Sequence, residues 1–159
     1  MADRKSWRCI KLGNNYVKAL KCRECGSEYP PSKAYVCQHC LGPLEVTYAI
    51  SSIKISRENF LGRPKSIWRY HELLPLNGKS STVNLEAGYT PLRRCNRLAK
   101  VLGLKTLYVK DDTVNPTGSF KDRPAAVAVL KAIEFKAEAV GCASTGNLAA
   151  AIAAHAAKA

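Results

Sequence analysis

Two Cys-x-x-Cys pairs constrain this chain more than any other feature. Cys22 and Cys25 flank Arg-Glu, Cys37 and Cys40 flank Gln-His, and eleven residues separate the pairs. Each pair brings two sulfurs to one side of a tight turn, and two facing turns complete a tetrahedron around a zinc-like ion. A glycine, Gly26 or Gly42, closes each turn. The chain has seven cysteines, an odd number that cannot all pair, and its opening MADRKSWRCIKLG lacks the apolar stretch of a secretory signal. The spacing therefore points to a metal site rather than a disulfide framework, and the expected compartment is cytoplasmic. Four thiolates leave no open coordination position, so the metal would be structural. His39 sits inside the second turn, but Cys40 already completes that pair, and the imidazole is read as exposed. Cys9, Cys95 and Cys142 read as ordinary small residues, with Cys142 packed on a buried strand.

Around the cysteines, YVKAL and LEVTY are strand candidates, so residues 1–48 read as a zinc-ribbon-like β module. So small a module lacks a sufficient core of its own, and bound metal would supply much of its folding free energy. The whole chain of 159 residues is 47% hydrophobic, enough for a packed core, yet no apolar run approaches the roughly 18 residues of a membrane span. Twenty-five basic residues against twelve acidic give +13, spread along both halves. Such a surplus suits anionic ligands, either nucleic acid or small phosphorylated molecules. Aromatic residues are few, at 8%, and no basic stripe is interleaved with them, which argues against nucleic acid.

Residues 49–83 read as a connector, polar except for SIWRYHELLPL, whose Trp68, Leu73 and Leu74 would dock on the main body. Residues 84–159 carry an α/β pattern. NRLAKVLG is a helix ending at Gly103, TLYVK a strand, DDTVNPTGS a loop, and FKDRPAAVAVLKAIEFK a helix with Ala126, Val129, Leu130 and Ile133 on one face. Pro124 fits only in the first turn of that helix. AVGCAS reads as a buried strand, TGN as a turn and LAAAIAAHAAKA as a helix. Repeated strand–loop–helix units predict a mainly parallel sheet covered by helices. The final alanine-rich helix has neither cap nor returning strand, so the expectation is the front portion of a larger enzyme.

Two segments carry chemistry. In NPTGSFKDR, residues 115–123, Lys121 lies beside a helix N-terminus, where the positive end of the dipole disfavours an ammonium and leaves an amine free to join an aldehyde. In STGN, residues 144–147, Ser144 and Thr145 hydroxyls meet free backbone N–H groups, a cradle for carboxylate or phosphate. Asp122 and Arg123 read as local capping and pairing residues. Asp111 and Asp112 are adjacent and would point different ways, which speaks against a two-carboxylate site. His71 and His155 have no evident partner, and His155 reads as a surface or packing residue.

NPTGSFKDR, GCASTGN and EAGYTPL (residues 86–92), in this order and spacing, resemble the threonine synthases, pyridoxal-phosphate enzymes of the tryptophan-synthase-β type. The resemblance covers roughly residues 66–159, and an amino-terminal Cys₄ module is similar to that of archaeal-type members. It implies a three-layer, mostly parallel α/β fold, here incomplete. Lys121 would hold pyridoxal 5′-phosphate through its amine and move protons at the substrate. Phe120 would pack beside the ring, Asn147 would bond its phenolic oxygen, and Ser144, Thr145 and Gly146 would hold the substrate carboxylate. The implied reaction turns O-phospho-L-homoserine and water into L-threonine and phosphate, in a homodimer. Many relatives read STGNT where this chain has Leu148, so no phosphate-binding hydroxyl is implied there. The cup for the cofactor phosphate and the group facing the ring nitrogen would lie beyond residue 159, leaving these residues alone with weak cofactor binding and no catalysis. The alternatives are a serine/threonine dehydratase, a β-replacement synthase, or a zinc-ribbon nucleic-acid-binding protein.

Overall fold

The computed structural model describes residues 16–77 and 85–159. The expectation for Cys9 therefore lies outside the described residues. Strands β1 (Val17–Cys22), β2 (Glu28–Tyr29) and β3 (Leu44–Tyr48) form an antiparallel sheet in the order β2-β1-β3. Leu20 pairs with Tyr29 on one side and Val46 on the other. The register places Cys22 opposite Leu44, so the end of β1 delivers the first cysteine beside the second knuckle.

The connector runs as short 3₁₀ turns at Ile50–Ser52, Arg57–Phe60 and Ile67–Leu73. Trp68 and Leu74 of its apolar segment dock as expected, whereas Leu73 is half-buried and not part of their cluster. Ile67, Trp68 and Leu76 are buried against Ala126, Val129 and Leu130, with Leu74, Val127, Ile152 and Ala156 packed around them. Arg63 fixes the arm with a bidentate bond to Glu72, at 2.7 and 2.6 Å, and donates to the Arg69 carbonyl. Glu72 is held below the usual carboxylate range by that guanidinium.

Strand β4 (Leu92–Arg94) pairs antiparallel with β5 (Tyr108–Lys110) around helix α1 (Asn96–Val101). Helix α1 ends in a Schellman motif: the Leu104 amide bonds the Ala99 carbonyl and the Gly103 amide bonds that of Lys100, with Gly103 at φ 67°. Helix α2 (Asp122–Glu134) ends the same way, but Lys136 occupies the left-handed position at φ 53°. Pro124 is the third residue of α2, where no intrahelical partner for an N–H is missed. Helix α3 (Asn147–Lys158) packs on α2. A cleft of about 450 Å³ separates Val17, Leu20 and Val46 of the first sheet from Lys131, Glu134 and Phe135 at the end of α2.

The chain is mixed α/β, but both sheets among the described residues are antiparallel. AVGCAS forms no strand: residues 139–144 lack a ladder, and Cys142 is half-buried in a loop rather than packed on a strand. An apolar run becomes a buried parallel strand only when a neighbour takes its backbone N–H and C=O groups, and among the described residues no strand pairs with it.

Candidate functional site

All four sulfurs of Cys22, Cys25, Cys37 and Cys40 lie within 4.8 Å of one another, and the Cys22–Cys40 and Cys25–Cys37 pairs are 3.5 Å apart. Zinc–sulfur bonds of about 2.3 Å in a tetrahedron place sulfurs about 3.8 Å apart, so the cluster has the dimensions of such a site. The knuckles reach this geometry differently. Gly26 takes φ 76° after Cys25, whereas Leu41 takes φ 59° after Cys40. Gly42 is needed for space instead, since a Cβ there would meet Cys22 Sγ at 2.9 Å and Glu24 Cγ at 2.7 Å.

Packed thiols without a cation push each other's acidities apart. The Ser27 hydroxyl and amide pull Cys25 down to about 5, and the Tyr29 hydroxyl, 3.0 Å from Cys37 Sγ, lowers Cys37. The Gly42 amide favours the Cys40 thiolate, but the sulfurs of Cys22 and Cys25 outweigh it and push that thiol up to about 12. A bound dication would relieve this conflict by accepting all four thiolates. The His39 backbone amide bonds Cys37 Sγ at 3.4 Å, while its exposed side chain stays outside the sulfur group.

The second site is built where two loops are knitted together. Asn115, Pro116, Thr117 and Gly118 form a turn closed by the Gly118 amide on the Asn115 carbonyl at 2.8 Å, with Pro116 in the position its fixed φ suits. Asn115 is buried; its Oδ1 accepts the Gly88 amide at 2.9 Å and its Nδ2 donates to the Asp112 carbonyl at 2.9 Å. Gly88 can be nothing larger, because at φ 84° a Cβ would sit 2.3 Å from Ile67 Cγ2 and 2.8 Å from Arg123 Nη1. Arg123 spans the joint, donating to both Asp112 oxygens, at 2.8 and 3.2 Å, and to Thr90 Oγ1 at 3.0 Å. Asp111 pairs instead with Arg93 at 2.7 Å, so the adjacent carboxylates diverge as the sequence implied. Arg123 holds Asp112, and Thr113 with Arg93 hold Asp111, below the ordinary carboxylate range.

Lys121 immediately precedes α2, with its amide on Ser119 Oγ at 3.2 Å. Its ammonium lies 4.7 Å from the centroid of the Phe120 ring, which is 55% exposed. Among the described residues the ammonium makes no ion pair. Asn147 is the first residue of α3, preceded by a turn in which the Gly146 amide bonds Ser144 Oγ at 3.3 Å. The first N–H groups of α3 have no intrahelical acceptor and, with the Ser144 and Thr145 hydroxyls, supply the donors an anion needs. Lys121 and Asn147 thus stand at the starts of two packed helices, although no hydrogen bond links Lys121 to residues 144–147.

His155 is the packing residue of its two expected readings, and it has a partner the sequence did not name. It is fully buried, and its Nε2 lies 3.1 Å from Oδ1 of Asp122, itself fully buried. The other Asp122 oxygen accepts both the Thr117 amide and hydroxyl at 2.9 Å. Asp122 is thus more than a local cap. The available signal was helical spacing: His155 stands four residues after Ala151, which is also fully buried, on the face packed against α2.

Residues 83–159 match the family described as pyridoxal-phosphate dependent enzymes. The chain is 49% identical over 141 residues to a threonine synthase of Methanosarcina acetivorans, covering 88% of this chain and 34% of that protein. It is 48% identical to the threonine synthase of Methanocaldococcus jannaschii, over 87% of this chain and 35% of that protein. A threonine synthase of Bacillus sp. (strain ULM1) is 49% identical over 90 residues, 57% of this chain. A stretch of 141 residues is too long to fit in 83–159, so the two archaeal likenesses reach through the cysteine knuckles. The chain spans about a third of the length of these archaeal relatives. Residues 83–159, which carry the motifs on helix starts, thus match the pyridoxal-phosphate dependent enzyme family, and most of the chain is similar to about a third of the length of two threonine synthases.

Proposed function

We propose that this chain is part of a threonine synthase with a tryptophan-synthase-β-like catalytic body. The complete protein converts O-phospho-L-homoserine and water into L-threonine and phosphate. The observation that carries this reading is Lys121 at the start of α2, in a loop pinned to the 86–90 loop through Asn115 and Arg123. A half-buried lysine whose amine lies over the Phe120 ring and makes no ion pair among the described residues fits an aldehyde cofactor, and the N–H donors at the start of α3 fit an anionic substrate.

Pyridoxal phosphate, when bound, supplies an electron sink for the charge left by a broken C–H bond. The residues of this chain bind and orient around it. Lys121 would hold the cofactor by its amine and would move protons at the substrate carbons. Phe120 would pack against the cofactor ring, and the Asn147 amide group would bond its phenolic oxygen. Ser144, Thr145 and the Gly146 amide take the substrate carboxylate, using donors whose helical partners are missing. Leu148 brings no hydroxyl, so the substrate phosphate is held by groups elsewhere in the complete protein. Cys22, Cys25, Cys37 and Cys40 would hold zinc as a structural ion, because four thiolates leave no open position. We read the complete protein as a cytoplasmic homodimer. No helix among the described residues is long and apolar enough to cross a membrane.

Borohydride reduction of the complete protein tests the assignment. The expected result is a pyridoxyl group on the Lys121 peptide, together with phosphate release from O-phospho-L-homoserine. An unmodified Lys121 in active protein overturns it. Release of ammonia from serine or threonine without phosphate turnover would favour the dehydratase alternative. Salt-sensitive retention on immobilised nucleic acid would favour the zinc-ribbon alternative suggested by the +13 charge.

A further inference from the structure

One carboxylate joins three parts of the candidate site. Asp122 directly follows Lys121. Its Oδ2 holds the Thr117 amide and hydroxyl, both at 2.9 Å, and its Oδ1 meets His155 Nε2 at 3.1 Å. Thr117 lies in the loop that leads to Lys121, and His155 lies two turns along the helix that Asn147 begins. Both Asp122 and His155 are fully buried. A carboxylate oxygen accepts, so the imidazole donates from Nε2, and Nδ1 is left buried without a partner among the described residues. An apolar side chain would fill the same space without an orphaned nitrogen; what it could not do is donate to Asp122.

We propose that His155 is a positioning residue, which acts through Asp122 to fix the Lys121 amine relative to the donors at the start of α3. The role rests on Lys121 being the cofactor-bearing amine. The hydrogen bond ties the first residue of α2 to the body of α3, two turns beyond Asn147, so it holds the α2 start against the helix that carries those donors. Thr117 transmits the same constraint to the 115–120 loop. Losing the donor on α3 leaves Asp122 anchored only to its own loop, and the amine then samples positions away from its target. Misplacement of about 1 Å is enough to cost about a hundredfold in rate.

The test uses the complete protein with His155→Leu and His155→Gln, the second keeping an N–H donor. Three quantities are read: amide exchange at Thr117, the rate of reductive methylation of Lys121 in cofactor-free protein, and kcat with KM for the loaded enzyme. In H155L, Thr117 exchange is expected to rise and Lys121 methylation to change, each by about tenfold, and kcat to fall by about tenfold to a hundredfold with KM moved less than about threefold. H155Q is expected to recover most of each loss. An H155L protein that matches wild type in exchange, methylation and kcat, with only its melting temperature lowered, overturns the proposal. If H155L fails to fold, Thr117→Val decides, because it removes a donor from the other side of the same carboxylate. An unchanged kcat and unchanged Lys121 methylation in T117V overturns the role, and the same kcat-selective loss supports it. Wild-type protein that takes up no pyridoxal phosphate would remove the proposed function, while exchange and methylation still decide the positioning.

Discussion

Of the three hydrophobic side chains buried in residues 16–48, two are cysteines of the sulfur cluster, Cys22 and Cys37, and the third is Ala19. Helix α2 alone buries Ala125, Ala126, Val129 and Leu130, and the docked arm adds Ile67, Trp68 and Leu76. The first region has correct strand pairing but almost no apolar interior, so its cohesion depends on what the sulfurs hold. The second needs no ion, because area removed from water supplies its cohesion at about 25 cal/mol per Å². With the proposed zinc bound, two parts of one short chain would depend on different external conditions: the first on metal supply and redox state, the second on temperature and denaturant.

Stripping the proposed zinc is the most severe way to separate the two. Structural zinc contributes an apparent 10–16 kcal/mol or so in small zinc modules. Chelation, or Cys37→Ser, is expected to abolish amide protection over residues 16–48 while α2 and α3 stay protected. Equal loss in both regions would show that the body depends on the module. In the other direction, Leu130→Ala should cost about 2–5 kcal/mol in the body, read by denaturant melting, and leave metal affinity unchanged. Gly88→Ala forces a methyl onto Ile67 and should cost about 2–3 kcal/mol, with Arg123 displaced from Asp112.

Arg123→Met is a milder test. Asp112 and Arg123 are about a third exposed, so the loss should be near 1 kcal/mol after solvent screening. The carboxyl of Asp112 is lowered on folding, so the pair's contribution is full above the unfolded value near 4 and fades as pH falls through the folded value. Wild type and R123M melting temperatures should therefore converge in acid and separate toward neutrality. The smallest effect is a gain: Lys136→Gly relieves the left-handed residue ending α2 and should add about 0.5–1 kcal/mol without touching the module.

The sequence patterns anticipated the cysteine knuckles, strands β1 and β3, the α1 cap and the extents of α2 and α3, because each is local. Cys-x-x-Cys spacing, Gly103 and the Ala126–Leu130 stripe act within a few residues. What depended on distant partners was illegible. AVGCAS has a buried strand's composition, yet a strand exists only beside another. Strand β4 carries Leu-Arg-Arg, with no alternation to announce it. At the site, the helix-start positions of Lys121 and Asn147 were readable from Pro124 and from the turn before α3. The bond from His155 to Asp122 spans thirty-three residues and depends on how two helices settle on each other, which no local pattern records.

The crowding at Gly88 has a practical consequence for anyone recombining related sequences. A single methyl has no room between the arm at Ile67 and the guanidinium of Arg123. Segments 66–69, 86–90 and 112–123 therefore behave as one heritable block. Chimeras whose crossover points fall inside that block should express poorly, whereas exchanges at residues 49–62 should be tolerated.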